Sequence, residues 1–327
     1  MQNLQHNIGP DLSKRTIDLF CNSHLQIENN NNGFNQMMKW LKQQNINSSE
    51  IMIVMEHTGL YSYCFEKFLH NQHISFSKVP ASSFKHSFGI ARFKSDKIDA
   101  KRLAEYGDEK RKKIIITPQT TEELQRLERL QATRHRMVRH KTALLNALEE
   151  YLNIGLSERD LVMQSQRRMI KYFEKEIEKL EKEIDTIITG NPAIKQNQTL
   201  LESIKGVGKV LSVATIIKTK NFTCFPTARK FACFCGTAPF PHKSGTSIKG
   251  KTKVDHHADK HMKTLLDLSA KTAIQYDKEL KEYYLRRTAA CKSKMSTINI
   301  VRNKILYRMF AVIKRQTPIV ANQIQAI

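Results

Sequence analysis

The sequence contains no stretch near the ~18 uninterrupted apolar residues that a membrane-spanning helix needs, which excludes a transmembrane reading. It does not open on a basic segment followed by an apolar one, so no secretory signal is expected. Cysteine is sparse and scattered: Cys21, Cys64, Cys224, Cys233, Cys235 and Cys291 show no framework spacing, as expected of reduced thiols in a cytoplasmic protein. Carboxylates are the scarcest of the charged groups, 31 against 54 Lys and Arg in 327 residues. The resulting +23 is far more than solubility requires and is the footprint of a nucleic-acid partner. Bases run through every segment instead of collecting on one amphipathic helix, which argues against a membrane surface. Charge alone does not separate DNA from RNA.

Against that scarcity, Lys94 to Tyr106 reads K-S-D-K-I-D-A-K-R-L-A-E-Y, with Asp96 and Asp99 three apart. On a helix such residues share a face, and two adjacent carboxylates surrounded by bases suit a divalent cation and a polyanionic substrate. D-x-x-D alone is equally the pattern of an ordinary charged helix, so the case depends on matching carboxylates elsewhere.

The first 115 residues supply them. A short strand runs into Asp11, a turn at Ser13-Lys14 follows, and Thr16 to Cys21 alternates as a second strand. Pro10 is awkward in a central strand and predicts an early end or a bulge there. Asp18 alternates with apolar neighbours and is read as a surface residue. After a turn at Asn29 to Gly33, Phe34, Met37, Met38 and Leu41 have helical spacing. Ile51 to Met55 is a continuous apolar strand ending at Glu56. Tyr61 to His70 reads as a helix, Ile74 to Val79 as a strand, and Pro80 to Gly89 as a loop or short helix before the acidic helix. This order describes a ribonuclease H-like α/β domain. In it Asp11, Glu56, Asp96 and Asp99 can converge on one or two Mg²⁺ ions, two of which would clamp both oxygens of a phosphodiester exchange.

Residues 116–196 read as two long helices joined near Asn153 to Asp160. Leu124, Leu127, Val138, Leu145, Leu148 and Leu152 form one seam, interrupted by Gln131, Arg134 and Lys141. Ile170, Phe173, Ile177, Leu180, Ile184 and Ile187 form a cleaner one. The pattern fits an intramolecular hairpin or an oligomerising coiled coil equally well. Arg126, Arg129, Arg134, Arg136, Arg139 and Lys141 make the first helix either a phosphate-backbone contact or a solvated basic face. Gly190-Asn191-Pro192 marks a boundary.

In the mostly helical stretch 197–327, Leu200 to Ala214 has the pattern of a helix-hairpin-helix element. Gly206 and Gly208 would permit close backbone approach, and amides near Lys209 would hold a phosphate. Further on, Lys243, Ser244, Lys249 and Lys251 lie in a small, basic stretch that by itself reads as a phosphate-binding or surface loop. His257, His261, Cys233 and Cys235 imitate zinc ligands. No Glu follows His257 and no second Cys pair completes a set, so the expectation is a solvent- or phosphate-facing pair of histidines.

Four phrases carry a family resemblance: G-P-D-L-S-K (Gly9 to Lys14), V-M-E-H-T-G-L-Y (Val54 to Tyr61), F-K-S-D-K-I-D-A-K-R-L-A (Phe93 to Ala104) and S-G-T-S-I-K-G-K (Ser244 to Lys251) after C-G-T-A-P-F. Together the chain resembles the insertion-sequence-110 family of transposases. The resemblance implies a RuvC-like domain with Asp11, Glu56, Asp96 and Asp99 as a D-E-D-D quartet for Mg²⁺, or Mn²⁺ in its place. It also implies Ser244 as a nucleophile, with Ser247 its local rival, DNA as substrate, a noncoding guide RNA, and a homo-oligomer built through the helical middle. The expected domains are then 1–115, 116–196 and 197–327. A junction nuclease of RuvC type using water, and a DNA-binding protein with no chemistry, are the alternatives.

Overall fold

The computed structural model describes residues 5–87, 95–244, 248–255 and 257–319, without the side chains of 242–249 and 251. The chain divides into two compact units, Met1–Gln119 and Thr120–Ile327.

The first unit is a mixed five-stranded sheet in the order β3-β2-β1-β4-β5. Strands β1 (His6–Leu12), β2 (Thr16–Phe20) and β3 (His24–Glu28) form an antiparallel meander, while β4 (Ile51–Glu56) and β5 (Ser75–Val79) add in parallel beside β1. Helix α1 (Asn31–Gln43) starts on an Asn30 cap, and α2 (Tyr63–Asn71) follows a 3₁₀ turn at Gly59–Ser62. Next come α3 (Ala81–Ser87) and α4 (Asp96–Glu109).

Strand parity sorts the side chains. Ile51, Ile53 and Met55 of β4 join Ile8, Phe34, Met37, Phe65 and Leu69 in one core, while Met52 and Val54 join Phe84 and Leu103 in another. The unbroken apolar run of β4 is therefore the signature of a strand covered on both faces. On the second face, α4 lies directly against β1: a Cβ on Gly9 would stand 2.1 Å from the Ala100 carbonyl oxygen and 2.4 Å from the Ala104 nitrogen.

Pro10 neither ends nor bulges the strand, contrary to the sequence expectation. Residues His6 to Ile8 pair with β4 and Gly9 to Leu12 pair with β2 in unbroken register, so Pro10 lies beyond the point where β1 has parted from β4. One edge of the strand makes no ladder there, and a missing N–H is tolerated.

The second unit begins with α5 (Glu122–Asn153) and α6 (Leu161–Gly190), an intramolecular antiparallel hairpin. Arg126–Glu183 (2.7 Å), Arg134–Glu181 (2.6 Å) and Lys141–Glu174 (3.4 Å) bridge it. Half of the basic residues singled out on the first helix are thus paired with the second. Gln131, the break in the seam, is buried and donates to the Val210 carbonyl at 3.2 Å, so at this position α5 is bonded to α8 as well. Asn191 caps α7 (Pro192–Glu202), and α8 (Lys209–Thr219), α9 (Ala228–Phe234), α10 (Lys260–Tyr276), α11 (Lys278–Ala289) and α12 (Lys294–Arg315) complete the helices. The hairpin base, through Leu124, Leu127, Ile184 and Ile188, shares their core. Between α9 and α10, β6 (Pro239–Ser244) and β7 (Ile248–Val254) form a two-stranded antiparallel ribbon where the sequence reads as a loop. No described helix is long and apolar enough to cross a membrane.

Gly9→Ala is expected to cost about 1–3 kcal/mol, because the new methyl meets backbone that cannot move aside. Urea denaturation measures this, and an unchanged midpoint would show that α4 is not pressed onto β1.

Candidate functional site

Parity also places the acidic residues. Asp11 shares the Gly9 face of β1, and Glu56 shares the Met52 and Val54 face of β4; both are the face that α4 covers. The Ser95 hydroxyl accepts from the Ile98 amide and caps α4, which puts Asp96 and Asp99 in its first turn. A helix N-terminus favours negative charge, so the acidic residues sit where the backbone dipole supports them. Arg102 reaches Asp99 at 3.3 Å.

Burial, and then the charges of Asp96, Asp99, Asp18 and Glu56, push the Asp11 carboxyl from its usual range up to about 6. As the side chains stand, no three His, Cys, Asp or Glu groups among the described residues are close enough to hold a metal ion. Arg102 holds the Asp99 carboxylate. The chemistry of the donors nevertheless fits a hard cation, which prefers oxygen. Two residues beyond Glu56, Thr58 Oγ1 is buried with no hydrogen-bond partner among the described residues, a further oxygen suited to such an ion or its water.

Asp18, expected at the surface, is 4 % exposed. It stands opposite Asp11 in the β1–β2 register and accepts from Gln26 Nε2 at 3.1 Å, with His24 Nε2 at 2.7 Å. The hairpin turns about Lys14-Arg15, so residues 11 and 18 are partners and share a face; a turn at Ser13-Lys14, as the sequence reads, already puts them on one face without pairing them.

In the second unit the hairpin glycines have packing roles. Gly206 adopts φ +91°, and a Cβ there would lie 2.6 Å from the Ser269 carbonyl oxygen, so the turn admits α10 only without a side chain. Gly208 is the α8 N-cap, and Lys209 Nζ lies 2.6 Å from Asp185 instead of standing free for a phosphate. Ser244 is the last residue of β6, paired with Ile248, and Lys243 pairs with Lys249. Ser247 lies outside the described residues, as do the side chains of Lys243, Ser244, Lys249 and Lys251. His261 does not face solvent: its ring packs 4.0 Å from that of His135. Burial pushes the Cys235 thiol well up, which keeps it protonated and unsuited to zinc.

Two family profiles match the chain. Residues 13–155 match the DEDD transposase profile of the IS110 type, which takes in Glu56, Asp96 and Asp99 and begins two residues after Asp11. Residues 198–285, with Ser244, match the profile described as "Transposase IS116/IS110/IS902 family". The chain is similar to the "Pilin gene-inverting protein" of Moraxella bovis and that of Moraxella lacunata, 26% identical to each over 95% of this chain and 96% of theirs. It is also 25% identical to an "Insertion element IS110" protein of Streptomyces coelicolor over 53% of this chain and 42% of that one. A DEDD domain suggests dependence on a divalent metal ion.

Because ionisation of Asp11 is disfavoured in the folded chain, it opposes folding above pH ~6; the penalty fades as the pH falls toward 3.8 and is absent below. In EDTA, Asp11→Asn should therefore melt above wild type at pH 7.5, with the gap closing near pH 4. A variant that melts at or below wild type at pH 7.5 would show that the acids are not crowded.

Proposed function

We propose that the chain belongs to the IS110 family of transposases, enzymes that cleave and rejoin DNA, and that it acts through Asp11, Glu56, Asp96 and Asp99 as ligands of Mg²⁺ and Ser244 as nucleophile. What supports the metal half is that Asp11 and Glu56 share the sheet face that α4 covers, that Asp96 and Asp99 occupy the first turn of α4, and that burial and then the neighbouring carboxylates raise the Asp11 carboxyl. A bound cation would supply charge neutralisation at the phosphoryl and leaving oxygens. Mn²⁺, with similar oxygen preference, would serve in its place. The mixed sheet supports a ribonuclease H-like, RuvC-like assignment for residues 1–115, followed by a helical hairpin, 116–196, and a serine-bearing domain, 197–327.

In the proposed exchange Ser244 Oγ forms a bond to phosphorus as the sugar–oxygen bond to phosphorus breaks; the serine proton is lost and the departing sugar oxygen takes one up. The phosphoserine link stores the bond energy, and attack by a sugar hydroxyl reverses the step on a new strand. The Moraxella relatives are named for inverting a gene, and inversion requires broken strands to be rejoined. Hydrolysis by water would leave ends with no stored energy, so the serine reading suits rejoining better. Lys243 and Lys249, opposite one another beside Ser244, together with Lys251, supply positive field for the phosphate. Quartet and serine must meet on one phosphodiester, within a chain or between copies.

The guide RNA implied by the family resemblance is part of this reading, and the charge of +23 suits two nucleic-acid partners. A second copy is assigned to the outer part of the α5–α6 hairpin, where Leu145, Leu152, Leu161 and Tyr172 are exposed. Leu161→Asp with Tyr172→Asp should shift the sedimentation coefficient to that of a smaller species; an unmoved value assigns assembly elsewhere.

Covalent trapping tests the chemistry: the protein, its element's end sequences, the flanking transcript and Mg²⁺ are mixed, denatured and examined for DNA-linked protein. Ser244→Ala should abolish the adduct, and Asp99→Asn should reduce it about a hundredfold or more. An adduct removed only by Ser247→Ala would move the nucleophile. Cut DNA without adduct would replace the serine with water, and DNA binding that never leads to cutting would reduce the protein to a binding role.

A further inference from the structure

An isolated two-stranded ribbon is barely stable in water, so where its root is fixed decides where its tip points. The β6–β7 ribbon carries Ser244 at the far end of β6, and its register slips by one residue between Phe240 and His242. Exposure changes abruptly at its entry: Thr237 and Ala238 are fully buried, and Pro239 and Phe240 are exposed.

The described hydrogen bonds that tie this ribbon to the helices gather at that entry, and α12 makes the closest set. Asn299 Nδ2 donates to the Thr237 carbonyl at 2.8 Å, and Asn303 Nδ2 donates to the same oxygen at 2.7 Å. The Thr237 hydroxyl donates to Asn303 Oδ1 at 3.1 Å. Arg302, nearly buried and paired with Asp267 of α10, approaches Asn299 Oδ1 at 3.5 Å, which leaves the amide nitrogen of Asn299 facing Thr237. A polar chain therefore runs from Asp267 through Arg302 and two asparagines to one backbone carbonyl. Arg229 adds a bond to the Pro239 carbonyl at 3.1 Å and lies over the Phe240 ring.

Two side-chain amides on one carbonyl are more than satisfying a buried oxygen requires. Their effect is directional: with hydroxyl and carbonyl of Thr237 both held, the backbone cannot rotate there without breaking three bonds. Resting on the reading of Ser244 as the nucleophile, we propose that Asn299 and Asn303 are positioning residues that set, through Thr237, the direction in which β6 carries that serine to the phosphodiester. They touch no substrate. Their contribution is to hold the reacting hydroxyl near its attack geometry, where small displacements are costly in rate.

The test uses the full chain with its own element-end DNA, transcript and Mg²⁺. Asn303→Leu and Asn299→Leu replace the amides with apolar groups of similar size, and Thr237→Val removes only the hydroxyl. The adduct-forming rate at saturating DNA should fall at least tenfold in both asparagine variants, with DNA affinity within twofold of wild type. Amide hydrogen exchange should accelerate in residues 239–244 and 248–254 and not in α5 or α6. Thr237→Ser should retain the wild-type rate, and Thr237→Val should lose part of it, which keeps the test open if an asparagine variant fails to fold. Folded variants that react and exchange as wild type does would overturn the inference alone. If wild type forms no adduct, the serine reading fails and the inference falls with it.

Discussion

The first unit depends on how closely α4 can approach β1. A helix backbone within touching distance of a strand is possible only where the strand presents no side chain, and Gly9 is that place. With the helix seated there, its capped first turn carries Asp96 and Asp99 over the face to which strand parity has already sent Asp11 and Glu56. None of the four is attracted to the others. Backbone packing sets their positions, and burial together with the neighbouring carboxylates raises the carboxyl of Asp11. A carboxyl raised in this way opposes folding locally, and perturbed acids of this kind collect at functional sites more often than elsewhere.

Much of this arrangement was legible in the sequence, for reasons that can be traced to particular residues. The five apolar residues before Glu56 announced a strand buried on both faces, and the spacing of Asp96 and Asp99 announced a shared helix face. Asp18 was misread because alternation was judged within one strand. A buried acid and a solvated one look identical until the partner strand is considered, and only then do His24 and Gln26 appear as its supports. Pro10 misled for a related reason: the rule against proline in central strands assumes neighbours on both sides along the whole length, whereas β1 exchanges one neighbour for the other at Ile8 to Gly9.

The second unit shows the same limit in its charges. A row of arginines on one helix reads as an anion-binding surface, yet Arg126, Arg134 and Lys141 face glutamates of α6, and Lys209 faces Asp185. Gln131 looked like a defect in a coiled-coil seam and is a point at which α5 also bonds α8, while Arg126 and Arg134 on either side still reach α6. Composition counts these bases toward nucleic acid; tertiary pairing withdraws several of them. The excess that remains is still large, since 54 bases cannot be neutralised by 31 acids. The partner class therefore survives while the particular contact residues change.

Nothing in the sequence marks the ribbon as a ribbon. Its residues are basic, small and polar, its strands pair only with each other, and each alternates too weakly to signal a sheet. What specifies it lies at a distance, in the asparagines of α12 and the buried threonine at its root, a contact between residues 62 and 66 positions apart. Under the proposed chemistry, a nucleophilic hydroxyl on such an element has a mechanical requirement that a hydroxyl on a helix would not have. Under that proposal the ribbon has to reach a bulky double helix and still arrive in one orientation. Fixation at the root serves the demand for one orientation: two side-chain amides on a single carbonyl resist its rotation, because a hydrogen bond weakens steeply as its angle departs from linear.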